Sequence, residues 1–211
     1  MSETLQTIPR SARKAKGDGH LRRAEILGAA ERIFVAEGYE GATIRKIADE
    51  VGVSSTCLYM HFRDKEAILL EICTSAMADL LETNRAIAAL PIEAVERVRA
   101  MLHSYIDFAI GHPNTYRLVF GPSTLAATVR RQKTARDLGE QCSETFNRVV
   151  REVAASGRLR TGDPDTVHKA LWAACHGLAA LVTAKPNPAW DHPQEVGRVM
   201  IEGLLFGLIA D

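Results

Sequence analysis

The sequence predicts an all-α protein of about nine helices in two domains. Apolar residues recur at spacings of three and four almost throughout, and no stretch shows the two-residue alternation of a half-buried strand. Capping residues, glycines and prolines punctuate the apolar stretches at helical lengths.

Residues 1–18 are polar and hold Arg10, Arg13, Lys14 and Lys16. They are expected to form a flexible basic arm, read either as a solvated tail or as a minor-groove contact. A first helix is expected from about His20 to Glu37, with Ala24, Leu27, Ala30, Ile33 and Phe34 as its stripe and Gly38 ending it. Thr43 can cap a second helix, "IRKIADEV", that turns Ile44, Ile47 and Val51 inward. Gly52 permits a sharp turn, because glycine adopts positive φ at little cost. Ser54 opens a third helix. At one hundred degrees per residue, Leu58 and Phe62 fall together and point inward. Thr56, Cys57 and Met60 take the opposite arc, Ser55 and Tyr59 share one flank, and His61 takes the other. Asp64 can cap a fourth helix lined by Ile68, Leu69, Ile72, Cys73, Ala76 and Leu80.

Pro91 suits the first turn of a fifth helix, whose apolar set runs from Ile92 and Val95 to Ile106 and Ala109. Gly111 and Pro113 break it, and "NTYRLVF" reads as a short helix before Gly121-Pro122. A long helix follows to about Ser156, with Leu138, Cys142, Phe146, Val149 and Val153 on one stripe. "GDPD" at 162–165 combines a cap with a proline start. The helix over 164–184 is apolar on nearly all sides and is expected to be buried on nearly all sides. A proline-rich loop over 185–193 leads to a last helix over 194–209. The expected partition is an arm at 1–18, a first domain at 19–65 and a second at 66–211.

The chain has 211 residues, 46% hydrophobic and 25% charged, an ordinary globular balance. Twenty-six basic side chains face twenty-six acidic ones, which argues against bulk electrostatic binding to nucleic acid or membrane and leaves room for a local basic patch. The N-terminus is polar, and the longest apolar stretch, "ALWAACHGLAALV", is interrupted by His176 and shorter than the ~20 residues a bilayer span needs. No membrane association and a cytoplasmic location are expected. Cys57, Cys73, Cys142 and Cys175 are scattered without a C-x-x-C pair, so reduced thiols and neither metal nor cofactor are expected. His103, His112, His168, His176 and His192 show no Ser-His-Asp arrangement, and no phosphate loop or dinucleotide fingerprint occurs. The chain is not expected to be an enzyme.

A short helix, a glycine turn and a second short helix make a helix-turn-helix, whose second helix can enter the major groove of DNA. Small side chains at Ser55 and Thr56 let the backbone come close, and hydroxyls can bond base edges or phosphates. Arg45 can reach guanine, while His61 and Lys65 suit the phosphate backbone. Cys57 is open to a redox reading, although no resolving cysteine lies near it in sequence.

The stretch "ATIRKIADEVGVSSTCLYMHFRDKEAILLEI" resembles the DNA-binding segment of the TetR family of transcriptional repressors. "GYEGAT" at 38–43, "IADEVGVS" at 47–54 and "LYMHFRDK" at 58–65 occur in order at the family's spacing. The resemblance implies DNA contacts from Thr43, Arg45, Ser54, Ser55, Thr56, Tyr59, His61 and Lys65, with Cys57 at a contact position where the family varies. "LWAACHGLAAL" (171–181), preceded by "HPNTYRLVFGP" (112–122), is similar to the subgroup named for a Trp, His, Gly signature. That similarity implies a helical effector-binding and dimerisation domain.

Met101, Tyr105, Phe108, Tyr116 and Phe120 read either as plain core or as the lining of a ligand cavity. Trp172 and His176, four apart, read as pocket residues or as core and dimer interface. Gly177, Ala180, Gly203 and Gly207, with Leu204 and Phe206, suit close helix approach across a two-fold axis. The expectation is therefore a homodimeric regulator that binds double-stranded DNA at a palindromic operator. Repression, inherited from the resemblance, would be relieved by a small apolar effector, with the fourth helix as the shared lever. The alternatives are a DNA-binding protein without an effector and a helical carrier or enzyme.

Overall fold

A computed structural model of the chain describes residues 19–121, 127, 129, 131–160, 162–184 and 190–210. The expected basic arm and most of the loop over 185–193 lie outside the described residues. Within them stand nine helices: α1 (Gly19–Gly41), α2 (Ile44–Val51), α3 (Ser55–Tyr59), α4 (Lys65–Ala88), α5 (Ala94–Gly111), α6 (Pro113–Phe120), α7 (Lys133–Ala155), α8 (Pro164–Ala184) and α9 (Pro193–Leu208). The chain divides into two compact units, with the boundary between Ile72 and Cys73, inside α4.

In the first unit, α1 packs on α2 and α2 on α3. The stripe of α1 is rotated from the expected one. Ile26, Ala29, Ala30 and Phe34 are buried, and Ala24 is exposed. Gly38 does not end the helix. It kinks it, at φ 73° and ψ 175°, and helical backbone resumes to Gly41. That φ suits glycine, which lacks the Cβ that would clash. Ala42, Ile47, Ala48, Leu58, Phe62, Ile68, Leu69 and Ile72 complete the buried set.

In the second unit, α5, α7 and α8 pack on one another. α9 lies against α5 and α8, and α6 against α8 and α5. Their core runs from Val98 and Ile106 through Val149 and Val153 to Leu171 and Ile201. Gly197 lets α9 lie close to α5, since a Cβ there would stand 2.9 Å from Ile106 Cδ1. An isolated antiparallel bridge, Leu159 to Ile209, ties the end of the chain to the turn after α7, with Ala210 N donating to the Arg158 carbonyl at 2.7 Å.

Two expectations shift here. α5 starts at Ala94, not at Pro91, which sits in the preceding bend. Proline's fixed φ suits a turn as well as a helix start. α8 is not buried on all sides: Trp172, Ala173, Ala180 and Leu181 are exposed on the single chain. An apolar helix surface is buried only where neighbouring elements reach it, and α5, α6, α7 and α9 cover the rest of α8.

Candidate nucleic-acid interface and buried cavity

The first unit builds its exposed surface from two caps and a turn. Thr43, in extended backbone, accepts from Lys46 N at 3.2 Å and starts α2. Gly52, at φ 73° and ψ 33°, ends it in the left-handed region, and Val53 N donates to the Ala48 carbonyl at 2.9 Å. Ser54 then accepts from Cys57 N at 3.1 Å and starts α3. Each hydroxyl satisfies a backbone N–H that has no partner within its helix, which holds two short helices that would be marginal alone.

Leu58 and Phe62 anchor α3 from below, and both are buried. Its outward side presents Thr56 and Tyr59, with Tyr59 57% exposed, and Met60 just beyond is 80% exposed. Ser55, Cys57 and His61 are half-buried, and Arg45 stands exposed on α2, 3.8 Å from Asp49. The surface therefore offers short polar groups, a thiol, a thioether and a phenol. A major groove reads these groups through hydroxyl hydrogen bonds and apolar contact with thymine methyls.

Lys65 is placed differently from the rest. Its Nζ donates to the Tyr39 carbonyl at 2.7 Å and to the Ala42 carbonyl at 3.3 Å, and lies 4.1 Å from the Tyr39 ring centroid. It ties the start of α4 to the end of α1. Arg23 plays a matching part that sequence reasoning missed. It donates to both carboxylate oxygens of Glu71, from Nε at 2.6 Å, and to the His61 carbonyl at 2.8 Å. Its guanidinium also lies 4.2 Å from the Phe62 ring centroid. No local pattern signals this, because Arg23 is 48 residues from Glu71.

The second unit contains a partly open cavity of about 330 Å³ lined by residues of α4, α5, α6, α7 and α8. Met101, Tyr105, Phe120 and Trp172 are on its wall, whereas Phe108, Tyr116 and His176 are not. Wall residues that the sequence reading did not assign to a ligand cavity include Met77, Asn84, Ser143, Phe146 and His168. They come from α4, α7 and α8, and only the packing of those helices brings them together.

Beside the cavity, Tyr105 and Tyr116 hydroxyls converge on His176 Nδ1 at 2.9 and 2.7 Å. Trp172 stacks on the His176 ring, centroids 5.0 Å apart. Burial pushes the Tyr116 phenol up to about 12 and raises that of Tyr105 as well, so both remain neutral. Burial also lowers the proton affinity of His168, whose Nε2 stands 3.4 Å from Ser143 Oγ. These two do not make a catalytic triad with Asp165, whose Oδ1 accepts from Asn147 and Arg151 instead. Among the described residues, no three His, Cys, Asp or Glu side chains are placed to hold a metal ion, and no helix is long and apolar enough to cross a membrane.

The predicted dimer residues lie along α8 and α9. Ala180, Gly203, Phe206 and Gly207 are exposed, Gly177 and Leu204 half-buried. A Cβ added at Gly177, Gly203 or Gly207 would meet nothing within 4 Å among the described residues. Nothing among the described residues therefore requires glycine at these three positions.

Comparison with known proteins matches both units. Residues 26–72 fit the family model "Bacterial regulatory proteins, tetR family", and residues 66–204 fit "Tetracyclin repressor-like, C-terminal domain". The chain is 30% identical over 129 residues to the HTH-type transcriptional activator FasR of Mycolicibacterium smegmatis, a match spanning 57% of this chain and 59% of that protein. It is 29% identical over 154 residues to the nucleoid occlusion factor SlmA of Vibrio vulnificus, spanning 72% of this chain and 76% of that one. Among solved structures, the ketosteroid transcriptional regulator KstR2 of Mycobacterium tuberculosis superposes with a TM-score of 0.75 at 21% identity, covering 96% of this chain and all of that one.

Proposed function

The chain belongs to the tetR family of bacterial regulatory proteins, and from that premise we propose that it is a sequence-specific DNA-binding transcriptional regulator rather than an enzyme. The observation that carries this reading is the exposed side of α3. Two caps and a glycine turn hold it on a buried Leu58 and Phe62, and it offers Thr56 and Tyr59 outward. Thr56, Cys57, Tyr59 and Arg45 read bases, while Thr43, Ser54, Ser55 and His61 set the register on the phosphates. Lys65 supports them by holding α4 against the end of α1.

The regulator works as a homodimer. The apolar exposed side of α8 and α9 supports this, with Phe206, Ala180 and three glycines that a second copy can approach closely. Trp172 stacked on His176, with Gly177 next in sequence, supports placement in the Trp-His-Gly subgroup. Two α3 helices about one DNA turn apart, roughly 34–36 Å, match a palindromic operator.

The cavity is the effector site. An effector that binds better to a dimer with a different α3 spacing lowers DNA affinity, and a tenfold drop needs only about 1.4 kcal/mol of coupling. α4 is the natural lever, because it contributes residues to both units and to the cavity wall. Repression is the default reading.

The test is selection of bound duplexes from a random DNA pool at near-physiological salt, followed by sequencing. An inverted repeat with half-sites about one turn apart is expected. Tyr59→Ala should then lose that preference while remaining dimeric. No enriched motif in the wild type, or full operator affinity in Tyr59→Ala, would overturn the assignment.

A further inference from the structure

The cavity wall carries one polar group that the other described residues leave unused. Asn84, on α4, is 7% exposed and lines the cavity, and its Oδ1 is buried with no hydrogen-bond partner among the described residues. An unpaired buried carbonyl oxygen is costly, so such groups are rare unless something else completes them.

Other polar groups on the wall have partners. Tyr105 Oη meets His176 Nδ1, and Ser143 Oγ meets His168 Nε2. Among the described residues, no carboxylate lines the cavity. Cys142 and Cys175 stay neutral thiols, pushed by burial up to about 11 and about 12. His168 also favours its neutral form, because burial outweighs the neighbouring carboxylates. Among the described residues, the one permanent charge on the wall is Lys169, an exposed residue. Most of the remaining surface is thioether, aliphatic and aromatic, from Met77, Leu80, Met101, Phe120 and Phe146 among others. A charged group placed beside Asn84 would be desolvated without a counter-charge, whereas a neutral donor would complete the orphan oxygen.

We propose that the cavity binds an uncharged, mainly apolar molecule carrying a hydrogen-bond donor, a hydroxyl or an amide N–H, received by Asn84 Oδ1. At about 330 Å³ the cavity sits at the small end of ligand pockets, so the apolar body is compact. The inference rests on reading this cavity as the effector site and adds the class of molecule it takes.

The experiment is calorimetric titration of the full chain with two matched sets of probes. One set is 2-naphthol, 2-methoxynaphthalene and 2-naphthoate. The other is 1-decanol, decyl methyl ether and decanoate. Each ether keeps the apolar body and removes the donor. In at least one set, the alcohol should bind about tenfold tighter than its ether. Asn84→Leu, which keeps the bulk and removes the acceptor, should bring the pair to within about twofold.

Equal affinity of alcohol and ether in the wild type would overturn the proposal while leaving the cavity a binding site. Tightest binding of the carboxylates would overturn it in favour of an anion held near Lys169. Failure of all six probes to bind would overturn both the proposal and the effector-site reading. The alcohol–ether comparison in the wild type decides the matter even if Asn84→Leu does not fold.

Discussion

Arg23→Ala tests whether α3 is held by the interactions seen around it. Arg23 joins α1 to Glu71 on α4, to the His61 carbonyl just after α3 and to the Phe62 ring. The carboxylate pair is partly exposed, with side chains 38% and 32% accessible, so solvent screening holds it to about 0.5–1 kcal/mol. The bond from the guanidinium to a carbonyl adds roughly 1 kcal/mol, below the usual range for charged donors because it is only half-buried. The stacking on Phe62 adds about 0.5 kcal/mol. Arg23→Ala should therefore destabilise the first unit by about 2 kcal/mol, near a thirtyfold change in its opening equilibrium. Hydrogen exchange followed by mass spectrometry reads this directly. Amides at 58–62 should exchange more than tenfold faster while those of α7 and α8 keep their protection. A double-mutant cycle with Glu71→Ala should give about 0.5–1 kcal/mol of coupling. Unchanged exchange at 58–62, or full operator affinity, would refute the view that Arg23 positions α3.

Further outcomes follow from other parts of the chain. Lys65→Met should cost about 1–2 kcal/mol of stability through its lost carbonyl bonds. The salt dependence of DNA binding should flatten by clearly less than the roughly one unit expected of a phosphate contact. An unchanged melting temperature with a full unit lost would instead make it a phosphate ligand. Phe206→Asp puts a charge on a side chain 75% exposed in the single chain, so sedimentation should show monomers with undiminished helix content. Dimers of wild-type strength would move the interface elsewhere. For His168 the folded proton affinity is lowered by burial, so as pH falls through about 6.5 the unfolded chain takes up a proton that the folded chain resists. Its contribution to stability is whole above that pH and erodes below it. His168→Gln should flatten that slope in urea unfolding between about pH 5 and 7, and an identical slope would rule His168 out as its source.

Much of the helical layout was legible in order. The boundaries of α2 and of α8 follow from Thr43 with Gly52 and from Asp163 with Pro164, because caps act through backbone groups within three residues. The inward pair Leu58 and Phe62 follows from helical geometry alone. Other features were misjudged. Gly38 has the positive φ expected of a helix-ending glycine, yet the chain resumes helix beyond it, held by Ala42 N donating to the Gly38 carbonyl. The stripe of α1 contains several apolar residues beyond those needed for packing, so its buried side was set by where α2 lies.

The candidate site divides in the same way. The outward groups of α3 are local in sequence, and one helix of five residues decides which way they face. The cavity is not local. Asn84, Met101, Phe146 and Trp172 belong to four helices, and each alone reads as ordinary core or surface. The amino-acid sequence by itself pointed to the family, to the order of most helices and to the outward groups of α3, because motif, caps, turns and periodicity act over a few residues. Tertiary structure alone decided that Lys65 and Arg23 brace the first unit and that Asn84, a cavity-wall residue, has a buried oxygen with no partner among the described residues. Whether a polar side chain is engaged or left over depends on partners tens of residues away in sequence, brought near only when the helices pack.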